Sequence, residues 1–555
     1  MPAPYDDWRD HEAERKLAED VHKGLTVKIG DGTLPPENLP DTDPRVIRTS
    51  FLRALILGRI EGPPPHEKGV RVQGAYLLGD GPTDAKTRGL DLEGCVLNLD
   101  LLFKACRIPD RLHLRSMTLR NLFLDESHLC GGLDAIRLTA RGDVKMLETK
   151  AVGEVNFNGA QLGGKLDCAG ADLKAGNGGK ALSAVGLHAS GSVQLSKALG
   201  RSNDKARFSA EGGVSFERSR IGGNLDCSGA QFATRENSGQ NMKLANKRAL
   251  SLQGMRIEGA FILREEASVR GVLDLTGSQL GHIRDRLQYW PQKRGDLLLD
   301  RCRYGAFLGD SPVDAASRIR WLSLQDERRW GAEFWPQPWE ECARVLREMG
   351  HGAAAREILI EKEKRQRAAR RARLLREGRH LAANWHAIWD AVLGGTVRYG
   401  RVPLLAAAWL FLLVWVGAAI FGAAFARDQM KPNLPQIQRA PEWVLCGVAE
   451  GETVRLAGRE APAAGLRARE QSRIACFHDQ PEGASHPRFS ALAYSADALV
   501  PVVSLEMQSY WIPDDEKPFG AFARFYLWLH IAAGWFLTLL AVAGFSGLIR
   551  TDNTT

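Results

Sequence analysis

The sequence predicts a mainly β fold: a cytoplasmic right-handed β-solenoid with helical caps, then a helical hairpin and a two-helix transmembrane module. Three observations predict it. Residues 155–173 (VNFNGAQLGGKLDCAGADL) and 214–232 (VSFERSRIGGNLDCSGAQF) are identical at nine of nineteen positions. Glycine recurs every few residues through this half of the chain, which a helix would not tolerate. Two long apolar runs lie near the C-terminus.

The repeat centres on Leu-Asp-Cys-x-Gly-Ala-x-(Leu/Phe), with variants at Leu90 (LDLEGCVL), Leu273 (LDLTGSQL) and Leu133 (LDAIRL). In Leu166-Asp167-Cys168 apolar, polar and apolar residues alternate, the period of a strand with one buried face. The Gly-Ala or Gly-Ser that follows supplies a bend with little bulk. A short strand cannot bury its inner face alone, so stacking has to close the core and pair the backbone. Residues 70–320 hold the solenoid, with room for roughly ten turns and a length of around 50 Å at strand spacing. Cys168 and Cys227 take equivalent inward positions, where cysteine acts as a small hydrophobe. Asp167, Asp226 and Asp274 form a recurring outward carboxylate beside a turn, where aspartate bonds backbone N–H groups.

Residues 1–69 are the N-terminal helical cap, with an amphipathic helix over 44–60 (PRVIRTSFLRALILGRI). Residues 321–380 form a Trp-rich cover (Trp321, Trp330, Trp335, Trp339) and a basic helical hairpin. Its first helix starts at Pro338 and stops at Gly350, and its second starts near Gly352. Residues 381–403 carry Trp385, Trp389 and Tyr399 and read as an interfacial linker.

Residues 404–425 contain no charge, and 525–549 contain only His530 as an ionisable group. Roughly 20 residues of helix cross the hydrocarbon core, so both runs read as transmembrane helices. Ten Lys/Arg and four Asp/Glu lie between 356 and 379. Among them, Lys362, Lys364, Arg365, Arg367, Arg370, Arg371, Arg373 and Arg376 form a basic juxtamembrane segment suited to anionic lipid headgroups. Positive charge marks the cytoplasmic side, and Arg550 follows the second run. The reading is a multi-pass protein of an inner (plasma) membrane. The N-terminus, which carries no secretory signal, and the tail 550–555 are cytoplasmic, and 426–524 is an extracytoplasmic loop. Ala418, Gly422 and Ala426 on the first run offer a close helix approach. The partner is either the second run, with Gly534, Gly544 and Gly547, or a further copy in a homo-oligomer.

Of nine cysteines, only Cys446 and Cys476 lie in the loop. They are a disulfide candidate in an oxidising compartment. Residues 491–505 (ALAYSADALVPVVSL) occupy the place of a pore helix between two spans, but no carbonyl filter motif follows. Asp497, Glu506 and His530 are a candidate membrane polar site. The net charge of +8 comes without a nucleic-acid module, so nucleic acid is not an expected partner. Gly176-Asn-Gly-Gly-Lys180 is neither a dinucleotide fingerprint nor a phosphate loop and reads as an insertion. No catalytic, cofactor or metal motif is found.

The run 45–60, VRVQGAYLLG at 70–79, the LDxxGA units, QPWEECARVLREMGHGAAAREILI at 337–360, TVRYGRVP at 396–403 and the two closing apolar runs resemble a bacterial membrane family. Its members join degenerate pentapeptide-like solenoid repeats to a two-span C-terminal module, and the resemblance covers most of the chain. Pentapeptide-type units centre on Leu or Phe with a small residue two before, as in Ala160-Gln161-Leu162 and Ala230-Gln231-Phe232. The resemblance implies a pentapeptide-like solenoid and a bacterial inner (plasma) membrane. Members often carry the label membrane-associated oxidoreductase, but no catalytic motif goes with it, so no residue is carried over. The expected function is a membrane-anchored scaffold or sensor that presents the cytoplasmic solenoid to a protein partner. The alternatives are a channel-like oligomer gated by the solenoid and, by family label only, an oxidoreductase.

Overall fold

The computed structural model describes residues 7–80, 88–176, 179–198, 206–234, 248–326, 334–449, 453–456, 459–462, 465–468 and 470–546. Trp330, Gly547, Arg550, residues 177–178 of the glycine-rich insertion and the tail lie outside them. The chain divides into two compact units, Met1–Arg373 and Leu374–Thr555.

The first unit is built from very short strands, each with one apolar residue turned inward. Leu112, Leu133, Val155, Leu182, Val214, Leu250, Leu273 and Leu297 stand in register across one parallel sheet. All are at most 1 % exposed. Burying each such side chain stabilises by about 2 kcal/mol, and the ladder hydrogen bonds go to the strands on either side. Three parallel sheets result, of 16, 9 and 8 strands.

These sheets correct the expected pentapeptide-like right-handed solenoid. The pairing yields three separate parallel sheets accompanied by helices, and it establishes neither a pentapeptide coil nor a hand. A pentapeptide pattern needs a corner every five residues, yet Arg256–Leu263 and Gln279–Asp285 are continuous strands of eight and seven residues. Arg256–Leu263 thereby merges two rows of strands into the 16-stranded sheet. An added Cβ on Gly259 would lie 2.8 Å from the Gly223 carbonyl oxygen. That glycine permits close strand approach, and the register with Gln279–Asp285 shifts beside it, between Ile257 and Ala260.

The sheets also begin earlier than expected. Val27–Lys28 pairs with Val70–Gln73, and Val46–Arg48 pairs with Tyr76–Leu78. The region before residue 70 therefore supplies strands as well as helices. The amphipathic stretch forms a helix only over Thr49–Ile56, which buries Phe51, Leu52, Leu55 and Ile56. Asp80 caps it, accepting from the Ser50 N–H at 2.9 Å. Glu14, fully buried, accepts both arms of the Arg48 guanidinium at 3.0 and 2.8 Å.

The recurring aspartates do bond the backbone N–H two residues on: Asp167 to Ala169, Asp226 to Ser228 and Asp274 to Thr276. Their expected outward exposure is corrected for two of them. Asp167 is 5 % exposed and Asp274 is 0 % exposed. Lys165 covers the first at 2.9 Å and Arg248 the second at 3.0 Å. Cys168 and Cys227 are fully buried.

The far end of the sheets is sealed by aromatic rings and one ion pair. Trp321 packs against Trp290, Tyr304 and Phe307. Arg318 lies 3.5 Å over the Phe307 ring and donates two hydrogen bonds of 2.9 Å to Asp285. Trp290 Nε1 donates to the same carboxylate at 2.7 Å. The hairpin follows. Gln337–Glu348 has Pro338 in its first turn, Gly350 stands at φ +89° just beyond it, and Gly352–Arg376 returns.

The second unit contains two helices long and apolar enough to cross a membrane, Leu404–Ala426 and Pro518–Phe545. Only 17 % and 28 % of their most apolar windows is covered by the rest of the chain, unlike the core helix of a soluble domain. Residues 381–403, expected as a linker, contain the helix His380–Thr396. Leu381, Trp385, Ile388 and Trp389 form an exposed apolar stripe on it at helical spacing.

Asp285→Ala leaves the buried Arg318 charge without its carboxylate, so a loss of about 3–5 kcal/mol is expected. Asp310, a partly exposed partner of Arg264 and Arg286, should cost under about 1 kcal/mol when changed to Ala. Denaturant unfolding of the detergent-solubilised protein measures both. Equal losses would contradict the sealing role of Asp285.

Candidate functional site: a polar node between apolar helices

The two apolar helices pack against each other. The short helix Ala491–Leu499 packs against both of them. Close approach is set by residues without a side chain. A Cβ on Gly417 of the first helix would lie 2.2 Å from Ser495 Oγ and 2.8 Å from the His530 ring. A Cβ on Gly534 of the second would lie 1.7 Å from the Leu499 carbonyl oxygen. The expected small-residue face is redistributed accordingly. Gly422 faces Ala491, Gly544 faces Pro403, and Ala426 is exposed.

At the point where the three helices converge lie Ser495, 0 % exposed, and His530, 2 % exposed. Ser495 Oγ donates to the Val414 carbonyl of the first helix at 2.8 Å. His530 Nε2 lies 3.1 Å from Ser495 Oγ and 3.2 Å from the Ser495 carbonyl oxygen. His530 Nδ1 lies 3.2 Å from the Tyr526 hydroxyl one turn earlier. One arrangement satisfies every atom: a neutral imidazole whose Nε2–H donates to Ser495 and whose Nδ1 accepts from Tyr526. Phe421 stands edge-on to Tyr494 and His530 and closes the node on one side.

The candidate polar trio does not assemble as one site. His530 joins Ser495 and Tyr526. Asp497 instead accepts the backbone N–H groups of Leu505 at 2.7 Å and Gln508 at 2.9 Å, tying down the loop after Ala491–Leu499. Glu506 is exposed in that loop at φ +60°. Sequence reading missed Ser495, Tyr526 and Gly417. The signals available were the i, i+4 spacing of Tyr526 and His530 and a serine two residues before Asp497.

The segment between the apolar helices has its own fold. Met430–Pro432 pairs antiparallel with Trp511–Pro513. Cys446 and Cys476 are disulfide-bonded, with Cα atoms 5.7 Å apart. Asp428 accepts the N–H groups of Arg473 and Ile474. The Arg473 guanidinium lies 4.1 Å over Trp443.

The basic segment splits into two parts. Lys362 is 1 % exposed and pairs with Glu340 at 3.0 Å. Lys364 and Arg365 pair with Glu361, and Arg367 pairs with Glu363. Arg370, Arg371, Arg373 and Arg376 are exposed. Within the hairpin, Glu340, Glu361 and Glu363 pair with Lys362, Lys364, Arg365 and Arg367, and Arg365 also lies over Trp339.

A reactive thiol is one route to redox or nucleophilic chemistry. Burial pushes the Cys106 and Cys342 thiols up to about 12 and raises those of Cys168, Cys227 and Cys302 as well, which makes them poor nucleophiles at neutral pH. Among the described residues no group of three His, Cys, Asp or Glu side chains is placed to hold a metal ion. No family model, no curated protein and no solved structure matches the chain.

Gly417→Leu should force the helices apart and lower the yield of folded monodisperse protein in mild detergent severalfold. Ser495→Ala removes one interhelical bond and should cost about 0.5–2 kcal/mol. Thermal unfolding in lipid nanodiscs measures the second change. A Gly417→Leu protein as stable as the parent would contradict the three-helix packing.

Proposed function

We propose that the chain is a membrane-anchored scaffold or sensor that holds a soluble unit at the bacterial inner membrane for binding a protein partner. The observation that carries the anchoring is the large apolar side chains left exposed on both long apolar helices. Leu404, Phe411, Trp415, Trp528, Trp535 and Leu539 are each more than half exposed. Lipid is the solvent such surfaces require. The exposed stripe Leu381, Trp385, Ile388 and Trp389 suits the interface between headgroups and acyl chains.

In this reading both termini are cytoplasmic. The exposed Arg370, Arg371, Arg373 and Arg376 before the first helix support it by the positive-inside rule and suit anionic headgroups. The Cys446–Cys476 bond supports an extracytoplasmic position for its loop, since disulfides persist in oxidising compartments. The resemblance to two-span bacterial proteins fits the same arrangement. The scaffold part rests on the long sheet faces of the first unit, which offer many exposed side chains in fixed register.

A second reading, a channel-like oligomer, is favoured by one observation, the helix Ala491–Leu499 seated between the two apolar helices. Within one chain that space is filled by Gly417, Ser495 and His530, so a conducting path would have to run between copies. No residue carries the oxidoreductase label.

Photocrosslinkers placed at Gln161 and Gln231, both exposed on the first unit, test the scaffold in native membranes. A discrete adduct with one partner protein is expected from at least one of them. Ion flux in proteoliposomes of purified protein, with no protein adduct at either position, would overturn the scaffold in favour of the channel.

A further inference from the structure

One face of the 16-stranded sheet carries an unbalanced row of arginines. Thr118, Thr139, Gln161, His188, Arg220, Arg256, Gln279 and Arg303 stand in register on successive strands. Seven steps at strand spacing make a row of about 33 Å, and Arg220 to Arg303 spans about 14 Å. Two residues before these positions lie Arg137, Arg218 and Arg301, and two after Thr139 lies Arg141. All seven of these arginines are exposed. The segments concerned read SMTLR, RLTAR, GAQLG, GLHAS, RSRIG, GMRIE, GSQLG and RCRYG, with no lysine and the single carboxylate Glu258.

Arg137 donates to Ser116 Oγ at 3.3 Å and Arg141 to Asn98 Oδ1 at 3.0 Å. Arg256 is paired with Glu258 at 2.9 Å. Arg218, Arg220, Arg301 and Arg303 have no carboxylate partner among the described residues. Glycines on the adjoining strands give the side chains room: a Cβ on Gly254 would lie 3.5 Å from Arg218 Cγ, and one on Gly159 would lie 3.5 Å from Arg137 Cγ. At the far end the row opens into a groove of about 340 Å³ lined by Arg256, Glu258, Gln279, Arg303 and Arg344.

We propose that this row is the docking surface of the scaffold for an extended acidic segment of a partner protein. The inference rests on the scaffold reading and names the chemistry of its partner. Planar guanidinium forks bind carboxylates with two parallel hydrogen bonds, which lysine cannot do, and this row uses arginine alone. An extended acidic chain places same-side carboxylates about 6.6 Å apart, so four or five residues cover Arg220 to Arg303. No Phe, Tyr or Trp is exposed in these segments to stack on bases, which disfavours single-stranded nucleic acid. Every apolar side chain in them is buried, so the row has nothing to insert into a bilayer.

The test uses the full chain in zwitterionic-lipid nanodiscs and a fluorescent deca-glutamate peptide, with anisotropy as the readout. R220E/R256E/R303E should weaken binding at least tenfold and flatten its salt dependence. R59E/R270E/R320E, an equal charge change at exposed arginines elsewhere, should stay within twofold. Equal losses in the two variants would overturn the row as a specific surface. A uridylate decamer that binds more tightly than the peptide, or anionic lipid in the nanodisc that abolishes peptide binding, would overturn it in favour of nucleic acid or membrane. Absent peptide binding alongside a protein crosslink from Gln231 would overturn the row and leave the scaffold standing. Absent binding and absent crosslinks would overturn both.

Discussion

A strand of two residues turns one apolar side chain into the core and makes its ladder hydrogen bonds only to the strands on either side. Leu166–Asp167 is such a strand, held between Val144–Lys145 and Val193–Gln194. Nothing in this unit folds alone, so the first and last strands have to be closed. At the start, the buried Glu14 grips Arg48 and the capped helix Thr49–Ile56 covers the apolar end. At the other end, Asp285, Arg318 and the rings of Trp290 and Trp321 do the same. The ion pair is fully buried, so it stabilises only while both partners and the Trp290 N–H are in place.

Much of this was legible in the sequence. The apolar–polar–apolar pattern of Leu-Asp-Cys placed Cys168 and Cys227 in the core. The proline and glycine of the hairpin marked its helices, and residues 404–425 and 525–545 of the two apolar runs lie in helices of 23 and 28 residues. What the pattern could not supply is how strands associate across distance. A local motif fixes which side chain turns inward, but not that Arg256–Leu263 is one continuous strand and joins two rows. The 59-residue offset between matching segments also hid the pairing step, since Val155 and Val214 both pair with Leu182 between them. Asp167 and Asp274 looked outward by alternation, but long basic side chains fold over them, and covering of that kind has no signature in spacing.

The candidate site shows the same division. His530 was visible because an ionisable group in an apolar run is conspicuous. Its partners were not, because Ser495 lies in another helix and Gly417 contributes only its lack of a side chain. Asp497 sits two residues from Ser495, yet it serves the loop backbone rather than the node. Ser495, His530 and Tyr526 bond within the chain: serine to a carbonyl, histidine to serine, tyrosine to histidine. That network ties the helix Ala491–Leu499 to both apolar helices.

In the proposed topology the disulfide-bonded segment and the sheet-rich unit lie on opposite sides of one membrane, and the scaffold account depends on this more than on any other point. An impermeant thiol reagent applied to sealed, right-side-out inner-membrane vesicles tests it most directly. Added cysteines at Arg439 and Lys364, both exposed, are the two reporters. The account predicts that Arg439→Cys is labelled from outside and that Lys364→Cys is labelled only after the vesicles are permeabilised. Labelling of Lys364→Cys in sealed vesicles, with Arg439→Cys protected, would contradict it.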